Sequence, residues 1–119
     1  MIVLAVQPGK VPEKKELDGT LKSMQAFVDG TIQAIYPFED AVAIVCNDEG
    51  KLNGMAYNRS LRNEDGKVID ILCGPFFVCG LGEEDFTSLT EEQLEIYHKV
   101  FEHPEVFLAV DGNLVVIPI

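Results

Sequence analysis

The chain has 119 residues, 47% of them hydrophobic, with 20 Asp and Glu against nine Lys and Arg and a formal net charge of −11. This composition excludes a disordered chain, and the length predicts one globular domain over residues 1–119. The charge disfavours direct binding to nucleic acid and to anionic membranes. No apolar run reaches the roughly 20 residues that span a bilayer, and the apolar start lacks the basic flank of a signal peptide, so we expect a cytoplasmic protein.

The first part of the chain predicts a strand, a charged loop and a helix. Ile2 to Val6 is a β-rich run that ends at Pro8-Gly9, and Lys10 to Leu17 is charged and contains proline. A helix is predicted from Thr20 to Val28, and Asp29-Gly30 ends it. The apolar face of this helix consists of Leu21, Met24, Phe27 and Val28, which recur at spacings of three and four.

The middle of the chain predicts a central strand followed by a tight turn. Thr31 to Tyr36 alternates in part, whereas Val42 to Cys46 is a short, continuously apolar run typical of a central strand. Asn47 to Gly50 is predicted to be a turn, and Lys51 to Tyr57 is the predicted return strand. Asn58 to Lys67 is polar and is not assigned to a strand.

Two further strands and a well-marked helix follow. Val68 to Leu72 and Phe76 to Gly80 are the predicted strands. Thr90 and Gln93 have the spacing of a capping box, which predicts a helix start, and His103-Pro104 ends the helix. The predicted buried stripe consists of Leu94, Tyr97, Val100 and Phe101.

The C-terminal segment predicts an apolar β-hairpin. Two β-rich runs, Val106 to Val110 and Leu114 to Ile117, flank the turn dipeptide Asp111-Gly112. A half-buried strand should alternate apolar and polar residues, and these runs do not, so both faces need cover. We therefore expect a homodimer, with cover by the first strand or by the charged loop after it as the alternative.

The order of elements predicts an α+β fold. The strands are joined by tight turns rather than by helical crossovers, which indicates a mostly antiparallel sheet. We expect the two helices to pack on one face of that sheet.

The first candidate site is a group of amide side chains and one cation. Amides offer a donor and an acceptor in one plane and Arg offers a forked cation, a combination that suits a small polar or phosphorylated ligand. The alternative is that the Asn side chains serve turns and strand ends while the Arg pairs with nearby acids. The candidate residues are Asn47, Asn53, Asn58 and Arg59.

The second candidate site is an acidic surface for a basic partner. Between Glu83 and Asp111 the chain has nine acidic residues and only Lys99 as a Lys or Arg. Such a surface gains from electrostatic steering, although solubility is the alternative explanation. The candidate residues are Glu83, Glu84, Asp85, Glu91, Glu92 and Glu95.

The sequence offers no catalytic motif. Cys46, Cys73 and Cys79 lie in apolar runs and are expected to be buried free thiols. His98 and His103 do not share a helical face, so no zinc site is predicted. We expect no enzymatic activity, no cofactor and no metal.

Several segments together resemble a small domain family of unknown function that phages, plasmids and conjugative elements of bacteria carry. The resemblance extends over roughly residues 17–107. It implies an accessory protein of a mobile element, one that manages host defence or transfer. The segments that carry it are Leu21 to Gly30 (Leu-x-x-Met-Gln-x-x-Val-x-Gly), Ile32 to Tyr36, Asn47 to Gly54, Asn58-Arg59, Gly74-Pro75 and Gly82 to Thr90.

Two functions are therefore expected from the sequence. The first is a non-enzymatic accessory protein of a mobile element that binds a basic host protein through its acidic surface, with counter-defence as one such role. The alternative is a module that binds a small ligand or nucleotide in the region of Asn47, Asn58 and Arg59.

Overall fold

A computed structural model describes all 119 residues and contains two helices and ten strands. The fold class is α+β, as the order of elements predicts. The helices are α1 (Leu21–Val28) and α2 (Glu91–Phe101). The strands are β1 (Ile2–Val6), β2 (Glu13–Glu16), β3 (Ile32–Ile35), β4 (Val42–Asn47), β5 (Tyr57–Arg62), β6 (Val68–Cys73), β7 (Phe76–Leu81), β8 (Phe86–Thr87), β9 (Glu105–Val110) and β10 (Asn113–Pro118).

A central sheet and two separate hairpins make up the β-structure. The central sheet has the order β2-β1-β7-β4-β3, with the short β8 paired to β7. Every strand pair is antiparallel, which confirms the predicted sheet type. The β5–β6 and β9–β10 pairs form the two hairpins outside this sheet.

The central sheet is buried on both faces. Along β4, Val42 and Ile44 pack with residues of α2, whereas Ala43 and Val45 pack with residues of α1. The helices therefore lie on opposite faces, and the prediction that both pack on one face is wrong. The cause lies in β4 itself, because a continuously apolar strand needs cover on both sides.

Both helices begin where the sequence predicts. The Thr20 hydroxyl accepts a hydrogen bond from the Ser23 amide of α1 at 3.1 Å. Thr90 and Gln93 form the complete capping box of α2, with reciprocal bonds of 3.0 and 3.1 Å. Val100, expected in the buried stripe of α2, is 52% exposed instead.

Two strands of four or more residues, β2 and β5, lie where none is predicted, and the two-residue β8 is a third. The expected charged loop contains β2, a solvent-exposed edge strand that pairs with β1. The expected polar segment contains β5, and the expected strand from Lys51 to Tyr57 is mostly a turn. Both strands escape detection because their residues are polar, and in β5 two of those polar residues are buried.

The terminal hairpin forms as predicted around a two-residue turn. Asp111 and Gly112 both have positive φ, 51° and 80°, as a tight hairpin turn requires. The base of the hairpin is fastened to β5 by Glu105, whose carboxylate accepts from the Ser60 amide and the Ser60 hydroxyl, both at 2.7 Å.

Candidate functional site

Arg59 lies at the junction of three segments and is only 1% exposed. Its guanidinium donates to the carbonyl oxygens of Phe101 at 3.1 Å and Lys10 at 2.5 Å. It also donates to the backbone and side-chain oxygens of Asn58, at 3.2 and 3.0 Å. These bonds join the end of α2 and the loop after β1 to β5.

The charge of Arg59 is stabilised by carbonyl dipoles rather than by a direct ion pair. Burial lowers the pKa of Arg59, and the negative charge of Glu105 opposes that shift. The guanidinium nevertheless stays protonated, because its ordinary pKa exceeds 12. With its bonds directed at the protein, Arg59 supports the fold rather than presenting a cation to a ligand.

Asn58 is completely buried and its amide is fully used. The side-chain nitrogen donates to the carbonyl oxygens of Val6 at 2.9 Å and Gly74 at 2.8 Å. The side-chain oxygen accepts from Arg59. Asn58 therefore ties β5 to the end of β1 and to the turn before β7.

Asn47 performs a similar task on the opposite face of the sheet. Its side-chain nitrogen donates to the carbonyl oxygens of Val28 at 3.0 Å and Asp29 at 3.1 Å, which are left free where α1 ends. Its side-chain oxygen accepts from the Glu49 amide at 2.8 Å. A Cβ at Gly30 would lie 2.6 Å from the Asn47 amide nitrogen, so this contact requires glycine.

The structure does not bring the four predicted ligand-binding side chains to one place. Asn58 and Arg59 lie beneath α2, Asn47 lies at the end of α1, and Asn53 is exposed in the turn before β5. Asn47 fits the alternative interpretation that the Asn side chains serve turns and strand ends, whereas Asn58 joins β5 to the carbonyls of Val6 and Gly74. Arg59 differs from that alternative, because it bonds carbonyls rather than acids.

A groove of about 980 Å³ lies between α2, the turn end of the β5–β6 hairpin and the base of the β9–β10 hairpin. On its wall the Tyr97 hydroxyl donates to the Asp40 carboxylate at 3.0 Å, and Gln93 approaches the same carboxylate at 3.3 Å. This bond lowers the pKa of Asp40, while burial and Asp40 raise the pKa of Tyr97 to about 12. In the sequence pattern Tyr97 is only one of the apolar positions of α2, although a buried hydroxyl needs a hydrogen-bond partner.

The acidic candidate residues are all exposed and mostly unpaired. The chain forms only three ion pairs, and Lys14–Glu91, at 3.7 Å, is the only one that involves the six candidates. The others are Lys51–Asp70 and His103–Glu102, of which the second requires a protonated imidazole. The candidates follow one another along the loop after β7 and the first turns of α2.

The three cysteines are buried free thiols, as predicted. Burial raises the pKa of the Cys46 thiol to about 11 and that of Cys79 to about 12, and it also raises the pKa of Cys73. The thiolate, which is the reactive form, is therefore disfavoured at all three positions.

The fold and these sites define a small α+β domain with a net charge of −11, whose buried polar side chains hold segments together. Residues 1–102 match the model of the family described as Domain of unknown function (DUF3846), and the chain belongs to that family. No curated protein and no solved structure shows significant similarity to it. The terminal hairpin lies outside the matched residues. Neither helix has the length and apolar character needed to cross a membrane.

Proposed function

We propose that this domain acts by binding a basic protein through the acidic segment, defined as residues 82–95. The observation that supports the proposal is the small number of ion pairs within the chain. The 20 acidic side chains form only three ion pairs. Five of the six acidic candidates have no cationic group within 4 Å. Their charge is therefore free to attract a cationic surface and to speed its approach.

Part of the acidic segment also has a local role. Glu91 and Glu92 lie in the first turn of α2, where negative charge stabilises the helix dipole. Glu83, Glu84 and Asp85 lie outside the helix, so this local effect does not account for them. These three residues are the sharper test of the proposal.

The test compares two variants with equal net charge. One carries Glu83→Gln, Glu84→Gln and Asp85→Asn, and the control carries Glu39→Gln, Glu64→Gln and Asp65→Asn, all at exposed positions elsewhere. Each tagged protein is used to retain proteins from a bacterial lysate. We expect wild type and the control to retain basic proteins that moderate salt elutes. The first variant should fail to retain the same proteins. Equal retention by both variants would contradict a role for this segment.

We also propose that the protein is a non-enzymatic, cytoplasmic accessory protein of a mobile element that acts against host defence. The resemblance described from the sequence supports the mobile-element setting. The raised thiol pKa values support a role without cysteine nucleophiles. Growth of phage or transfer of a plasmid in hosts with and without the gene, in defended and undefended strains, would test this setting.

The competing ligand-binding function gains little support from the geometry. Asn47, Asn58 and Arg59 direct their polar atoms at backbone oxygens and at each other. A thermal-shift screen with nucleotides tests it directly, because a ligand at 100 times its dissociation constant should stabilise the fold by about 2.7 kcal/mol. Stabilisation by any nucleotide would restore this alternative.

A further inference from the structure

One face of the terminal hairpin is apolar and uncovered. In the β9–β10 register, Val106 is opposite Ile117 and Leu108 is opposite Val115. Opposed residues of an antiparallel pair have side chains on the same face, and alternate pairs share that face. The apolar residues of this open face are Val106, Leu108, Val110, Val115, Ile117 and Ile119, which are between 38% and 69% exposed, and the polar Asn113 lies opposite Val110 at its end.

The other face of the hairpin is different because β5 partly covers it. The ring of Phe107 packs against Tyr57 with centroids 5.2 Å apart, and Phe107 and Val116 are only partly exposed. Glu105 fastens the same face to Ser60. The hairpin is thus held in a fixed place, with the open face turned away from its anchor. Neither β1 nor β2 covers the open face, contrary to the alternative weighed from the sequence.

The size of the open face fits pairing with an equal surface. At the observed exposures it presents roughly 500 Å² of apolar surface, so two copies would bury at most roughly 1,000 Å², which is the lower limit for a specific interface. A patch of this size is near the upper end of what a typical monomer exposes, and such patches are often functional. A two-stranded hairpin is also marginal alone and gains from a second layer.

The distribution of charge leaves the open face as the place where a second copy of this chain can pack. Two molecules that each carry −11 repel one another, so they can meet only where acidic residues are few. The open face contains no ionisable side chain, and Asp111 at the tip is the only charged side chain between Val106 and Ile119. A basic partner, by contrast, would find no complementary charge there.

We propose that two copies form a dimer by packing the open faces of their hairpins against each other. The contact is isologous, so the same patch serves both subunits, and the two hairpins stack as layers about 10 Å apart. Leu108 and Val115, opposite each other at the middle of the patch, form its centre. The acidic segment takes no part in this contact.

The test is the oligomeric state of the full chain, measured by sedimentation equilibrium between 1 and 100 µM. Leu108→Lys places a charge on the open face, and Leu114→Lys places the same charge on the other face, at nearly equal exposure, 44% against 42%. We expect wild type and Leu114→Lys to reach twice the 13.1 kDa monomer mass and Leu108→Lys to remain monomeric. Circular dichroism shows whether each variant is folded, and Val115→Lys replaces Leu108→Lys if that protein does not fold.

Three results would overturn the dimer. They are a monomeric wild type at 100 µM, a Leu108→Lys variant that still dimerises, and a Leu114→Lys variant that dissociates as fully as Leu108→Lys. Salt provides an independent measurement, because it screens the repulsion between acidic copies and leaves apolar contact in place. The dimer should persist or strengthen at high salt, and dissociation there would contradict apolar packing.

Discussion

Strand β5 and the terminal hairpin lie side by side, and both differ from the usual burial of apolar and exposure of polar residues. Strand β5 buries polar side chains, whereas the hairpin exposes apolar ones. In β5, Asn58 and Arg59 are at most 1% exposed, whereas the neighbouring hairpin exposes a whole aliphatic face. Every buried polar side-chain atom of the chain has a hydrogen-bond partner, so the polar residues of β5 are not left unsatisfied. The aliphatic residues of the hairpin have no comparable partner within the chain. Burial here therefore follows the available partners more closely than it follows hydropathy.

The largest loss of stability is expected from removing the cation of β5. Arg59→Met should lower the free energy of unfolding by about 3 kcal/mol or more, because it leaves the carbonyls of Lys10 and Phe101 buried without a donor. Urea denaturation measures the change. Arg62→Met is the matched control, since Arg62 is exposed and bonds only the Gly66 carbonyl at 2.9 Å. If both variants were equally stable, the structural role assigned to Arg59 would be wrong.

A smaller effect is expected at the end of α1. Asn47→Ala should cost about 2 kcal/mol, because the carbonyls of Val28 and Asp29 lose their shared donor in a buried place. Asn53→Ala, in an exposed turn, should change the free energy of unfolding by less than about 0.5 kcal/mol. The same denaturation measurement compares the pair. A stable Asn47 variant would mean that water replaces the amide as donor, and that the carbonyls at the end of α1 are accessible to solvent.

The features that the sequence predicts are those determined by residues close together in the chain. The capping box at Thr90 and the turn at Asp111-Gly112 depend on a few neighbouring residues, so local chemistry identifies them. The apolar run of β4 likewise identifies a central strand. The opposite placement of the helices follows from that run, because a strand apolar on both sides needs two layers.

The features that the sequence does not reveal depend on distant partners. Asn58 and Arg59 resemble a polar connection until the carbonyls of Val6, Lys10 and Phe101 are placed around them. These carbonyls are 42 to 52 residues away, and no local pattern encodes that contact. The bond between Tyr97 and Asp40 is hidden for the same reason, because the partners are 57 positions apart in the sequence.

The burial of the thiols predicts how the free energy of unfolding depends on pH. Their ordinary pKa is 9.0, and burial raises the pKa to about 11 for Cys46 and about 12 for Cys79. The unfolded chain therefore loses these protons first, so their contribution is fully present below pH 9 and is lost as the pH rises towards the folded values. The free energy of unfolding should fall by up to about 1.4 kcal/mol per pH unit for each thiol above pH 9.

The slope of the free energy of unfolding against pH distinguishes the thiols from other groups that lose a proton at alkaline pH. Urea denaturation between pH 8 and pH 10.5 would give the slope for wild type and for Cys79→Ala. The variant should show a shallower fall even if it is less stable at pH 8, because one of the shifted groups is gone. Parallel slopes would mean that Cys79 ionises as readily in the folded protein as in the unfolded chain.

The smallest loss of stability is expected at the contact between β5 and the terminal hairpin. Glu105 is the residue that joins them, since its carboxylate accepts both bonds from Ser60 of β5. Glu105→Gln removes the charge from both bonds and replaces one acceptor by a donor, which should cost about 1 kcal/mol. Because the change acts at the base of the hairpin, amide hydrogen exchange should quicken in β9 and β10 while the central sheet keeps its protection. Glu102→Gln, a nearby acid without a bond to β5, is the control. If the central sheet lost protection together with the hairpin, the two regions would unfold as one unit, and the hairpin would be part of the domain core rather than an element fastened to its edge.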